Sequence, residues 1–217
     1  MFANHCGIAR PGDEAASDLQ WFKYYKGHRI YNQPGVNRWV WNYQFKVTPG
    51  EIFFDAQEHE FARKAGWGYV FVEPNLPWHK GVAVNKDWGE KNYQAVTDQL
   101  LAAGADVVQT SYGPRRLKGV RTIETPTFRH AMAVLSRARM AILPEGGMHH
   151  AAAALGIPAV VMFGGFIPPQ VLGYDGHINL TGGASEACGS MSRCQHCADA
   201  LARISVDEVF GHAKGLL

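Results

Sequence analysis

From residue 68 onward, short apolar runs alternate with stretches whose apolar positions recur at helical spacing. Tyr69-Val70-Phe71-Val72 reads as a buried strand that Glu73-Pro74 brings to a loop. Residues 92–103 put Ala95, Val96, Leu100 and Ala103 on one helical face, and Gly104 ends that helix. Residues 106–110 form the next strand, and residues 127–138 the next helix, with Thr125 or Thr127 as its N-cap. Met140-Ala141-Ile142-Leu143-Pro144 is a strand running into Glu145-Gly146-Gly147-Met148, then a helix over 149–155 closed by Gly156. Ala159-Val160-Val161-Met162-Phe163 is a further buried strand, ending at Gly164-Gly165. Strands alternating with helices of this length predict an α/β, Rossmann-like parallel sheet with helices on both faces. Right-handed crossovers then bring loops 75–88, 110–116, 145–150 and 164–170 to one edge of the sheet, where such sheets bind ligands.

Residues 1–67 follow a different pattern. Trp21, Phe22, Tyr24, Tyr25, Trp39 and Trp41 crowd this part among Gly, Pro and Asn. Val40-Trp41-Asn42-Tyr43-Gln44-Phe45-Lys46-Val47 alternates apolar and polar positions, which predicts a half-buried strand. Pro49-Gly50 then predicts a turn, and residues 56–64 a short helix. The predicted organisation is a short aromatic-rich region, 1–67, followed by one sheet domain, 68–217.

Composition narrows the class without assigning chemistry. The chain has 217 residues, 47% hydrophobic and 18% charged, which is ordinary for a folded globular protein. A formal net charge of +2 does not by itself imply nucleic-acid binding. Arg115, Arg116, Lys118 and Arg121 make a local basic cluster that fits either a solvated loop or a phosphate contact. No apolar run approaches the ~20 residues that span a bilayer. Met1-Phe2-Ala3-Asn4 lacks the basic-then-apolar start of a secretory signal, so a cytoplasmic location is expected.

The most informative segment is the turn from residue 143 to 150. A carboxylate, two glycines and a helix start follow a strand directly. Glycines let phosphates approach backbone N–H groups, and a helix N-terminus favours negative charge. A helix cap is the other role that fits Glu145. Upstream, Asn85-Lys86-Asp87-Trp88 precedes a helix, and a flexible ammonium there suits a pyrophosphate.

These two segments, in this order, resemble the C-terminal donor-binding domain of glycosyltransferase family 9, the lipopolysaccharide heptosyltransferase type. That family carries Asp-Ser/Thr-Gly-x-x-His-x-Ala-Ala-Ala-Leu-Gly-x-Pro before an apolar strand and Phe-Gly, and Lys-x-Trp before the domain's first helix. Here Glu145 stands at the aspartate position, one methylene longer, with Gly147 at the glycine and His150 at the histidine. The resemblance covers residues 68–217 and implies the C-terminal-domain type of a GT-B fold. It further implies that a nucleotide-diphosphate sugar, with no cofactor or essential metal, meets Lys86, Glu145, Gly146, Gly147, Met148, His149, His150, Gly164 and Gly165. His79, Lys80, Arg115 and Arg116 are the further candidates for phosphate contacts.

Family members use an N-terminal domain for the acceptor and supply a catalytic Asp after a Gly. Gly12-Asp13 resembles that turn, which makes Asp13 the candidate general base, with Asp55 and Glu58 as other acidic residues in the region. The implied reaction is transfer of a sugar, with inversion, to an acceptor hydroxyl such as one on a saccharide lipid; the short N-terminal region and the basic cluster from Arg115 to Arg121 also suit an alternative, a phage-type enzyme acting on modified DNA bases. A non-catalytic nucleotide-sugar-binding module is the other alternative, and homo-oligomerisation stays open. Cys188, Cys194 and Cys197 cluster near the C-terminus beside His196. Structural thiols are expected, and a zinc site is the alternative.

Overall fold

The computed structural model describes residues 31–35 (backbone alone), 37–111 and 113–217. Asp13 and Cys6 lie outside the described residues. The described chain opens with an antiparallel hairpin of β1 (Tyr31–Gly35) and β2 (Arg38–Trp41), followed by α1 (Ala56–Arg63). The main sheet comprises β3 (Val70–Val72), β4 (Val107–Thr110), β5 (Arg121–Ile123), β6 (Met140–Pro144), β7 (Ala159–Met162) and β8 (His177–Leu180). Its order is β5-β4-β3-β6-β7-β8, and every pairing is parallel. The helices are α2 (Glu90–Ala102), α3 (Phe128–Leu135), α4 (Gly147–Ala154), α5 (Pro169–Leu172), α6 (Gln195–Arg203) and α7 (Val206–Leu216). The predicted α/β fold with a parallel sheet is therefore present.

The strands read as unbroken apolar runs because both faces of the sheet are covered. Alternate side chains sort cleanly between two cores. Phe71, Ala141, Leu143, Ala159 and Val161 join a core with residues of α3, α4 and α5. Val70, Val72, Met140, Ile142, Val160 and Met162 join another with residues of α2, α6 and α7. Both cores are dry enough that each of these strand side chains is essentially inaccessible. Among the described residues, no helix is long and apolar enough to cross a membrane.

Residues from the first third of the chain pack onto the same sheet domain. Trp41 is buried in the α3–α5 core and its indole N–H donates to the Phe166 carbonyl at 3.0 Å. Helix α1 is capped reciprocally by Asp55 and Glu58, and Arg129 of α3 clasps the Glu58 carboxylate. The expected strand over residues 40–47 is shorter than its alternation suggests. Strand β2 ends at Trp41, and Asn42 turns the chain, its carbonyl and side chain accepting from the N–H groups of Phe45 and Gln44. Phe45 and Val47 still pack against the core, without a ladder partner.

Candidate active site

The strand order reverses between β3 and β6: the chain builds outward from β3 to β5, then returns to the other side of β3. A crevice at such a switch point, beyond the carboxyl ends of the strands, is where open α/β sheets hold ligands. Two carboxylates end these two strands, Glu73 after β3 and Glu145 after β6, and both are buried.

Glu145 forms an ion pair with Lys86, the side chains being 2% and 16% exposed respectively. Lys86 is held there by its neighbours. Before it, a 3-10 turn over Gly81–Asn85 ends in the buried Asn85. That side chain donates to the carbonyls of Ser190 and Ser192 and accepts from the Cys194 N–H. After it, Trp88 is buried against Tyr93 and donates to the Ile204 carbonyl at 2.9 Å. The Lys-x-Trp spacing thus puts the ammonium between two anchored residues. Lys86 Nζ also lies 5.1 Å from the centre of the Phe166 ring. An ammonium has three donors, so pairing with Glu145 leaves capacity for a second anion.

Gly146 precedes α4 and offers no side-chain cap, so the N–H groups of the helix's first turn have no capping side chain competing with an anion. Gly147 leaves room for Phe128, whose ring tip would lie 3.1 Å from a Cβ there. His150 meets the Tyr174 hydroxyl at 2.8 Å through Nδ1, and its Nε2 lies 3.8 Å from Glu145. Burial holds its pKa below the ordinary histidine value and favours the neutral ring, which the Tyr174 hydroxyl holds in place as donor or acceptor according to the tautomer. Met148 is buried beneath this surface. His149 is fully buried between Phe163, Tyr174 and His177, its two ring nitrogens without hydrogen bonds. Burial, reinforced by His150, drives its pKa down to about 2, so it stays neutral.

Glu145, His149 and His150 present ligand atoms within 4.8 Å of one another. A cation there would sit against the Lys86 ammonium. The local charge instead suits an incoming anion, which Lys86 and the start of α4 both attract.

The remaining predicted residues are distributed as follows. Gly164 and Gly165 end β7 and accept the close approach of α6, since a Cβ would meet Leu201 at 2.8 Å and His196 at 2.5 Å. His79 and Lys80 are exposed in the first loop. Arg115 makes a bidentate pair with Asp87 at 2.6 and 2.8 Å and lies 4.6 Å from the centre of the Trp78 ring. Its charge is largely committed to Asp87. Arg116 is exposed and donates to loop carbonyls. Arg115, Asp87, Trp78 and Arg193 line a groove of about 560 Å³ that Lys86 does not line.

Sequence reasoning passed over Glu73 as a site residue. Its carboxylate accepts from the Asn75 N–H at 3.0 Å, the Asn75 amide at 2.7 Å and the Thr110 hydroxyl at 3.0 Å. Burial outweighs these bonds and raises its pKa to about 7. The signal in the sequence is a carboxylate placed directly after the apolar run of a central strand. Asn75 also ties this carboxylate to the loop of Arg115, whose N–H it accepts at 2.8 Å.

No protein-family model and no curated protein matches the chain. Solved structures do match. Heptosyltransferase II of E. coli aligns at 15% identity and a TM-score of 0.55, over 76% of this chain and 53% of that one. E. coli heptosyltransferase WaaC with ADP aligns at 14% identity and 0.54, over 78% and 51%. A family 9 glycosyltransferase of Veillonella parvula aligns at 16% identity and 0.55, over 76% and 53%. The fold of this chain is that of the family 9 heptosyltransferases, and the chain spans about half the length of the structures it matches.

Proposed function

We propose that this chain binds a nucleoside-diphosphate sugar at the carboxyl edge between β3 and β6 and transfers the sugar, with inversion, to an acceptor hydroxyl. The observation that carries this reading is the Lys86–Glu145 pair beside the uncapped, glycine-flanked start of α4, at the switch point of the sheet. The diphosphate takes the free donors of Lys86 and the first N–H groups of α4, with Gly146 and Gly147 letting it come close. Glu145 accepts from sugar or ribose hydroxyls while keeping Lys86 in register, and His150 borders the same corner. As the glycosidic bond to the diphosphate breaks, the charge gathering on the leaving oxygen is stabilised by these same groups. Asp13 is the proposed base on the acceptor side, taking the proton of the attacking hydroxyl. The fold shared with heptosyltransferases, one of them solved with ADP, supports the donor class.

Calorimetric titration with nucleoside diphosphates and nucleotide sugars tests this directly. Lys86→Met is expected to weaken the tightest of them by about 1.5–3 kcal/mol, the range for a hydrogen bond to a charged group. Unchanged affinity in that variant removes Lys86 from the site. Release of the nucleoside diphosphate with a glycosylated product separates a transferase from a binding module. Salt-sensitive DNA binding would mark a nucleic-acid acceptor.

A further inference from the structure

Away from the donor crevice, residues 181–194 connect β8 to α6 as a long irregular segment carrying one isolated bridge, Arg38 to Ser190. Four soft donors converge where this segment meets α6. The ligating atoms of Cys188, Cys194, His196 and Cys197 all lie within 4.8 Å of one another, with Cys188 Sγ and Cys197 Sγ 3.1 Å apart. All three cysteines are free thiols. A tetrahedral zinc ion, with bonds of about 2.3 Å to sulfur and about 2.0 Å to nitrogen, holds its ligand atoms roughly 3.5–3.8 Å from each other. Side-chain adjustments smaller than an ångström or so bring the four atoms to that spacing.

The surroundings suit thiolates as well as the spacing does. Cys194 occupies the N-cap of α6 without making a cap hydrogen bond, and His196 and Cys197 lie in the first turn. The positive end of the helix therefore faces the cluster. The Ser190 N–H points at Cys188 Sγ at 3.4 Å. Gly189 between them has φ +61°, and a Cβ there would lie 2.0 Å from the Trp39 carbonyl, so this turn is pressed against the backbone of β2. His196 Nδ1 is buried without a hydrogen bond.

We propose that Cys188, Cys194, Cys197 and His196 form a closed tetrahedral site for one thiophilic divalent ion, zinc being the best match. The ion is structural: it staples the irregular segment to the start of α6. That segment supplies the carbonyls of Ser190 and Ser192 and the N–H of Cys194 that hold Asn85, the residue before Lys86. It also donates the N–H groups of Cys188 and Gly189 to the carbonyls of Gly165 and Phe166.

The test begins with protein purified without a metal-chelating column, whose metal content is measured by mass spectrometry. About one zinc or iron ion per chain is expected. The reduced, metal-stripped protein is then titrated with Co²⁺, which should bind stoichiometrically and develop the intense visible bands of tetrahedral cobalt and a thiolate charge-transfer band. Cys194→Ser and His196→Gln should each weaken Co²⁺ uptake by at least tenfold, while Cys6→Ser leaves it unchanged. Amide hydrogen exchange over residues 188–194 should slow when Zn²⁺ is restored. Failure of the reduced wild-type chain to take up Co²⁺ or Zn²⁺ overturns the proposal, whatever the variants do. So does a Cys188–Cys197 disulfide whose reduction yields no metal uptake, or loss of binding in Cys6→Ser.

Discussion

Glu73→Gln changes one atom at the centre of the carboxyl edge, and the structure sets both the sign and the size of its effect. The Glu73 side chain is buried and its pKa is raised from 4.5 to about 7 by loss of water. The native state therefore binds more protons than the unfolded chain between those values. Glu73's contribution to stability is fully present below about pH 4.5 and is lost as pH rises through about 7. At roughly 1.4 kcal/mol per pH unit, that interval corresponds to about 3 kcal/mol. Glutamine keeps one oxygen to accept from Asn75, and its amide can donate to the Thr110 hydroxyl, so the hydrogen bonds survive the change. Urea unfolding of both proteins from pH 4.5 to 8 gives the comparison. His149, His150 and His177 all have lowered pKa values and pull the other way, destabilising the native state as pH falls below the ordinary histidine value. They titrate in both proteins, so the difference between the two curves isolates Glu73. That difference should grow in favour of Glu73→Gln by about 3 kcal/mol towards pH 7 and then level off. Parallel curves across the range would mean that Glu73 titrates as an ordinary carboxyl group and that its burial costs nothing.

Two other substitutions probe the site and its frame. Glu145→Gln removes the charged partner of the partly buried Lys86 ammonium, so Lys86 should lose its fixed position and the nucleotide sugar should bind more weakly; full affinity for the nucleotide sugar in calorimetry would remove Glu145 from the donor site. Gly182→Ala puts a Cβ 1.8 Å from the Ala200 carbonyl at a backbone φ of +59°, and should cost about 3 kcal/mol or more in urea unfolding as α6 is pushed outward, a loss under 1 kcal/mol arguing that the helix yields freely.

How much was legible depended on whether a feature is local. Glu145, the glycines and the α4 start announce themselves within a few residues, as does Lys86 before Trp88, and the fold brings the two segments together. The central strands were legible because both their faces are covered, which makes Val70–Val72, Met140–Pro144 and Ala159–Met162 continuous apolar text. The outer strands were not. β5 is Arg-Thr-Ile at a sheet edge and β8 is His-Ile-Asn-Leu at the other, so neither produces an apolar run. The alternation over residues 40–47 was real but misread. Trp41, Phe45 and Val47 of that alternation pack on the core, the last two without a ladder partner, whereas Tyr43 is exposed.

The deepest illegibility concerns what positions the charge. A lysine before a helix can be read as a ligand group, but nothing nearby in the sequence says why its ammonium should stay in one place. In the fold, Asn85 reaches residues 190, 192 and 194, more than a hundred positions downstream, and Trp88 reaches Ile204. Lys86 therefore takes its position from the irregular segment between β8 and α6, through Asn85, and from the end of α6, through Trp88. An irregular segment pays a high conformational entropy for any fixed geometry. Its ordering must come from contacts outside its own backbone ladder, and it has the carbonyls of Gly165 and Phe166, the Trp39 backbone and the cysteine cluster. Disturbing that cluster should consequently be felt at Lys86 before it is felt in the sheet, because the strands beneath are packed on both faces and the segment is not.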